Sequence, residues 1–309
     1  MRFRPFALSL LVLVACAKGD QPAPDAAAPA VREFDGEAAL RYVGEHIAVG
    51  PRVPGTAAHR AGGDWIVNQM RSRADTVLVQ EWTHTTKTGK KLPLRNILAR
   101  FQPERTDRIL YVTHWDSRPV ADAELDPAKQ MEPILGANDG GSGVGLFVAI
   151  ADALKKKAPD VGVDLLFVDG EDWGTFGPPD IDVLIGSTYF AANLPHPTYR
   201  PLYGVLFDMI GDADLRVPQE DNSVAQAPEV VQKFWSTARR LGYEQWFPPR
   251  AEGPITDDHI PLLAKGLRVI DVIDITYPPH HTLGDTIDKL SAKSLQMVGD
   301  IALALIREP

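Results

Sequence analysis

Three acids stand together in this chain: Asp169, Glu171 and Asp172 directly follow the apolar run Val163–Val168, and Gly174 lies two residues beyond them. Neighbouring carboxylates repel, so they are either solvated at a strand end or held together by a metal or a shared proton. Four further segments end apolar runs or open a helix in residues of the same chemical kind. They carry His114 and Asp116 in YVTHWDSRP, Asp139 in GANDGGSG, Asp208 in LFDMIGD, and His281 in YPPHHTLGD. A lone buried histidine or aspartate is usually a structural hydrogen-bonding group. Five such segments at strand ends point instead to one carboxyl edge of a sheet, where open α/β folds place ligands. Imidazole and carboxylate together suit zinc, which takes three protein ligands and leaves a fourth position open when it is catalytic.

The elements that must position these residues follow from hydrophobic period. Apolar residues at helical spacing predict helices over 38–48 and 57–73, with the turn GPRVPGT between them. Arg52 in that turn reads as one half of a turn-bracing salt bridge. β-Rich runs predict strands over 76–83, 92–101, 108–113, 163–168, 204–209 and 267–276, and helices over 143–157, 187–193, 229–242 and 291–307. Strands alternating with helices imply a three-layer α/β/α sandwich with a mixed, largely parallel sheet whose first pair is antiparallel. Two long loops, 119–135 and 173–185, have little periodicity, and loops of that length are often functional. Trp115, Trp173, Phe176 and Tyr277 are the aromatics placed to line a pocket.

The start of the chain gives a different kind of signal. Two arginines precede an apolar run of ten residues, 6–15, too short for a span of about 20, so residues 1–15 read as a signal peptide. Leu13-Val14-Ala15-Cys16 resembles the lipobox of bacterial lipoproteins, and Cys16 is the one cysteine in the chain. Residues 16–33 would then be a lipidated cysteine and an Ala/Pro-rich tether, and 34–309 a single catalytic domain. An exported lipoprotein is expected, anchored to membrane through Cys16 and facing the periplasm or cell surface. The chain's net charge of −9 offers no basic stripe to neutralise phosphates, which argues against nucleic acid. The glycines of GANDGGSG lack the Lys-Ser/Thr of a phosphate loop. A monomer is expected, although no residue pattern sets the oligomeric state.

Taken in order, His-x-Asp, Asn-Asp-Gly, Asp-Gly-Glu-Asp, Asp-Met-Ile-Gly and the late His-Thr resemble the zinc aminopeptidase and glutaminyl cyclase superfamily, metallopeptidase clan MH, from about Phe34 onward. The resemblance implies one zinc held by Asp139, Asp172 and His281, with Glu171 as general acid/base. The aminopeptidase branch would add a second zinc at His114 and Asp208, bridged by Asp139. Three features resemble the bacterial glutaminyl-peptide cyclotransferase branch: 13 residues, 173–185, between Asp172 and Gly186-Ser187; ITDDHIPLL; and FDGEAALRYV with GPRVPGT. In ITDDHIPLL, Asp258 matches the cyclases' hydrogen-bonding aspartate. Two features depart from that branch. His280 replaces a tryptophan before the zinc histidine, which leaves His280 and His281 both open as the ligand, and the acid pair is Glu-Asp rather than Glu-Glu.

The implied partners are peptide or protein N-termini. As a cyclase, the chain would close an N-terminal glutamine to pyroglutamate with release of ammonia, Glu171 moving the proton and Asp258 and Asp208 steadying the intermediate. As an aminopeptidase, Glu171 would deprotonate a metal-activated water that attacks the first peptide bond. A third reading, a lipoprotein that kept the fold for binding alone, is opposed by the intact Glu171 and the full ligand set.

Overall fold

A computed structural model describes Met1 and residues 33–309. The leader, Cys16 and nearly all of the tether lie outside the described residues. Residues 32–309 form one compact unit.

Six strands build one sheet: β1 Thr76–Thr85, β2 Lys91–Phe101, β3 Arg108–His114, β4 Gly162–Val168, β5 Tyr203–Asp208 and β6 Val269–Ile273. Their spatial order is β1-β2-β4-β3-β5-β6. β1 pairs with β2 and β2 with β4 antiparallel, while β4-β3, β3-β5 and β5-β6 are parallel. All six predicted strands are present. β6 is shorter than 267–276, because past Ile273 the chain turns at Asp274, whose carboxylate accepts from Thr276.

The helices are α1 Gly36–Ile47, α2 Ala57–Arg71, α3 Gly141–Lys156, α4 Ile185–Ala192, α5 Asp221–Gln226, α6 Pro228–Arg240, α7 His259–Ala264 and α8 Ala292–Arg307. The short α5 and α7 have too few turns for an apolar period and were not foreseen from the sequence. Alternation along fully buried β3 shows why both sheet faces are covered. Ile109 and Tyr111 pack with residues of α1, α3, α6 and α8, whereas Leu110 and Val112 pack with Phe190 of α4 and Leu262 of α7. The result is the three-layer sandwich expected from the strand and helix order. Because β3, β4, β5 and β6 run parallel, His114, Asp169, Asp208 and the chain after Ile273 all emerge at one edge of the sheet.

One residue inside this frame differs from expectation. Arg52 forms no salt bridge in its turn; it is fully buried and donates to the carbonyls of Trp115, Leu135 and Gly136. It thereby ties the turn to the chain on either side of the site. Burial lowers its pKa to about 10, with Asp285, Asp116 and Asp139 acting in the opposite direction.

Candidate metal centre and active site

His114 is the last residue of β3 and has no solvent exposure. Its Nε2 lies 3.1 Å from Asp139 Oδ1 and 3.2 Å from Asp208 Oδ1. Burial works against charge on this ring, but Asp208, Asp116 and Asp139 outweigh it and push His114 well above the usual imidazole range. Asp208 ends β5, and the next residue, Met209, has φ 47°, a left-handed conformation that costs a non-glycine residue of order 1 kcal/mol.

Asp139 sits just before α3. Its backbone N–H and that of Asn138 donate to the two oxygens of Asp285 at 3.1 and 2.8 Å, which fixes the turn. Gly140 follows with φ 73°, and a Cβ there would lie 2.6 Å from the Asp116 carbonyl and 2.8 Å from His114 Cε1. Only glycine lets α3 start so close to β3. Burial opposes charge on Asp139, yet hydrogen-bonded His114, with His281 and His280, holds it well below the usual carboxylate range.

The chain after β4 delivers the acid pair. Asp116 accepts the Glu171 and Asp172 backbone N–H groups at 3.1 and 3.2 Å, so the two acids hang from a carboxylate of the neighbouring strand. Asp169, the first of the three acids, belongs elsewhere: it pairs with His59 of α2 at 2.8 Å and accepts from Arg95 N. Its role is structural. Burial, opposed by His114 and reinforced by Asp172, Asp257 and Asp258, pushes Glu171 well above the ordinary glutamate range. Burial and Asp139 also raise Asp172.

His281 Nε2 lies 3.4 Å from Asp172 Oδ1 and 3.7 Å from Asp139 Oδ2. His280 Nε2 is 4.0 Å from Asp139 Oδ2. Zinc with nitrogen and oxygen ligands at about 2.0–2.2 Å in a tetrahedron separates neighbouring donor atoms by roughly 3.4 Å. The His281 distances fit that edge better than the His280 distance does. Asp139 Oδ2 and Asp172 Oδ2 are buried without a hydrogen-bond partner, which is how metal-binding oxygens look when only protein is considered. Two groups of donors are therefore close enough to hold an ion: Asp139 with His280 and His281, and His114 with Asp139 and Asp208. Separations of 3.1–3.2 Å in the second group are also hydrogen-bond lengths, so they do not by themselves give a metal count.

A cavity of about 290 Å³ opens on this cluster, lined by Asp139, Glu171, Asp208, Asp257, His280 and His281, with an apolar wall that includes Phe176, Met209 and Ile255. Asp257 is the residue the sequence reading missed. Asp258, expected to face the reacting groups, is fully buried, does not line the cavity and accepts from Ser187 Oγ of α4. The two aspartates sit at the entrance to α7, where successive side chains diverge by roughly 100°, and one residue of register decides which faces in. Burial, with Asp271, Asp208 and Asp258 adding to it, raises Asp257 well above the usual aspartate range. Of the four candidate aromatics only Phe176 lines the cavity. Trp115 stacks on His59, Trp173 packs near Leu92 and Leu94, and Tyr277 donates to Asp285.

The pattern of peptidase family M28 matches residues 96–306, which is most of the chain. The chain belongs to peptidase family M28. It is similar to the Porphyromonas gingivalis glutaminyl cyclase structure, at 36% identity over 90% of this chain and 99% of that one, with a TM-score of 0.86. It is equally similar to a Zn-dependent exopeptidase from Parabacteroides distasonis, at 37% identity over 89% and 99%, TM-score 0.86. The glutaminyl-peptide cyclotransferase of Bos taurus is 26% identical over 83% of this chain and 78% of its own length. This M28 chain is thus an enzyme of the zinc-dependent exopeptidase and glutaminyl cyclase group, and family and donor set together support zinc as its metal.

Proposed function

We propose that this M28 enzyme is a glutaminyl-peptide cyclotransferase, closing the N-terminal glutamine of peptides or proteins to pyroglutamate and releasing ammonia. The observation that carries the reading is Asp257. It brings a second carboxyl group, besides Glu171, to the cavity beside the donor cluster, and burial raises both above the ordinary carboxylate range, which favours their protonated forms. The glutaminyl cyclases among its relatives support the same reading.

Asp139, Asp172 and His281 would hold zinc, which when bound polarises the substrate's γ-carbonyl as a Lewis acid. The substrate's own α-amine is the nucleophile, so the protein's work is positioning and proton transfer. The amine nitrogen bonds to the γ-amide carbon, Glu171 accepts the proton the amine loses, and the C–N bond to the departing amide nitrogen breaks as Glu171 returns that proton, giving ammonia. A protonated Asp257 is placed to donate a hydrogen bond to a group that gains negative charge beside it, and Asp208 is placed to accept from the amine. Phe176 and Met209 offer the apolar wall on which the glutamine methylenes would rest.

The second reading is an aminopeptidase, favoured by the His114, Asp139 and Asp208 group, which can hold another ion. Mass spectrometry on glutamine-initiated and leucine-initiated peptides separates the two. Loss of ammonia from the first alone is expected. Release of a free first residue from either would refute the cyclase, and two metals per chain would then be expected.

A further inference from the structure

Arg118 and Asp122 lie outside the proposed donor set of Asp139, Asp172 and His281, yet they contact two of its three members. Arg118 is almost wholly buried and donates from Nη1 to Asp172 Oδ1 at 2.6 Å. The rest of its fork, Nε and Nη2, donates to the two oxygens of Asp122 at 2.8 and 2.6 Å. Asp122 Oδ1 in turn stands 3.5 Å from His281 Nδ1, on the side of the ring away from Asp139 and Asp172. The four side chains form a closed circuit, Asp172 to Arg118 to Asp122 to His281 and back to Asp172. Backbone contacts reinforce it: Ala123 N–H donates to the His281 carbonyl, and Leu283 N–H donates to Glu124 Oε1. His281 itself has φ 55°, an unfavourable conformation that these contacts hold in place.

We infer that Arg118 and Asp122 are positioning residues of the metal centre, a loop-borne clamp that orients His281 and Asp172 together and selects His281 over His280 as the ligand. A carboxylate on one ring nitrogen fixes the tautomer and turns the other nitrogen toward the metal. Asp122 faces Nδ1 of His281 in this way at 3.5 Å, whereas among the described residues Asp139 is the one acid within salt-bridge distance of His280. The guanidinium is suited to the task because its planar fork grips two carboxylates at once, which a lysine ammonium does not do. Arg118 also lies 5.8 Å from the Phe176 ring centroid, so the clamp touches the cavity wall as well.

The inference rests on zinc at this centre and not on which reaction follows. Zinc affinity of the full chain, measured by competition with a chromophoric chelator, is therefore the readout. Removing Arg118 alone would also remove a positive charge near the metal, so the decisive variant is R118A/D122A, which deletes one charge of each sign. It should weaken zinc binding by about 10–100-fold, the usual cost of losing such outer partners. R118K should recover only part of that loss, D122N should cost less than the double variant, and H280A should change affinity by less than about 3-fold. Cobalt-substituted protein should show a shifted visible spectrum in R118A/D122A, reporting altered ligand geometry. Unchanged or tighter zinc binding in the double variant would overturn the inference, as would a loss in H280A equal to that in H281A. If the double variant does not fold, R118K and D122N decide, and wild-type affinity in both would overturn it equally. Failure of the cyclase reading would appear as absent ammonia release with these affinities unaffected.

Discussion

At the scale of single residues, Glu171 and the pair Asp257 and Asp258 give the sharpest predictions. Glu171 is not needed in the donor set, so Glu171→Gln should keep zinc while turnover falls by about 10²–10⁴, the usual worth of a general acid/base. Metal content and single-turnover rate check this together; a variant that loses its zinc would make Glu171 a ligand. Asp257→Asn should cut turnover by about 10²-fold because it removes a proton donor from the cavity. Asp258→Asn retains a polar partner for Ser187 Oγ and should cost less. Equal losses at both positions, with unchanged thermal midpoints, would show that the sequence reading of Asp258 deserved preference over the geometry.

Elements explain what the sequence revealed and what it did not. Strand-borne residues were legible because an apolar run has a definite end and parallel neighbours share an edge: His114 and Asp208 fall where β3 and β5 stop, and Asp172 lies just past β4. Residues on loops and short helices were not, because nothing periodic indicates their direction. Arg118 and Asp122 lie before and within the 119–135 loop, four residues apart without a helix, and Asp257 and Asp258 differ only by the first turn of a six-residue helix. The 173–185 loop shows the same limit. Its length was visible, but its anchorage was not: Asp182, at φ 54°, accepts from Lys87 N–H at 2.8 Å and pairs with His84 at 2.9 Å, pinning the loop to the β1–β2 hairpin. Releasing that pin should loosen the Phe176 wall without touching the reacting groups. Asp182→Ala is expected to raise KM several-fold with kcat changed less than about 2-fold, and Asp182→Asn to recover part of the KM. A fall in kcat with KM unchanged would mean the loop acts on chemistry rather than on binding.

Over the whole molecule, gathering so many acids at one sheet edge couples stability to pH and to metal. Burial raises Asp258 to about 7 and Asp285 to about 6, with Asp208 adding to the first and Asp139 to the second. Burial with the opposing pull of His59 leaves Asp169 at about 6, and burial raises Glu171 and Asp257 as well. Unfolded aspartate and glutamate titrate near 4. Between about pH 4 and 7 the folded chain therefore binds more protons than the unfolded chain, and stability must fall as pH rises across that window. The acids held low act elsewhere: burial opposes charge on Glu220, but His259 at 3.2 Å and the backbone N–H groups of Asn222, Ser223 and Ile255 outweigh it and lower Glu220 to about 2, so its contribution is lost only as pH falls below about 4. A divalent cation on Asp139, Asp172 and His281 would relieve part of this crowding and would compete with protons at Asp172 and His281, both of which are raised. Zinc that binds only the native state should add about 2.7 kcal/mol at a free concentration 100 times its Kd. The metal-stripped protein should lose thermal midpoint from pH 5 to 7, and added zinc should restore more at pH 7 than at pH 5. Scanning calorimetry with and without chelator makes the comparison. A stripped protein as stable at pH 7 as at pH 5 would mean that the buried acids are not holding their protons, and Asp257 could not then serve as the donor on which the cyclase reading depends.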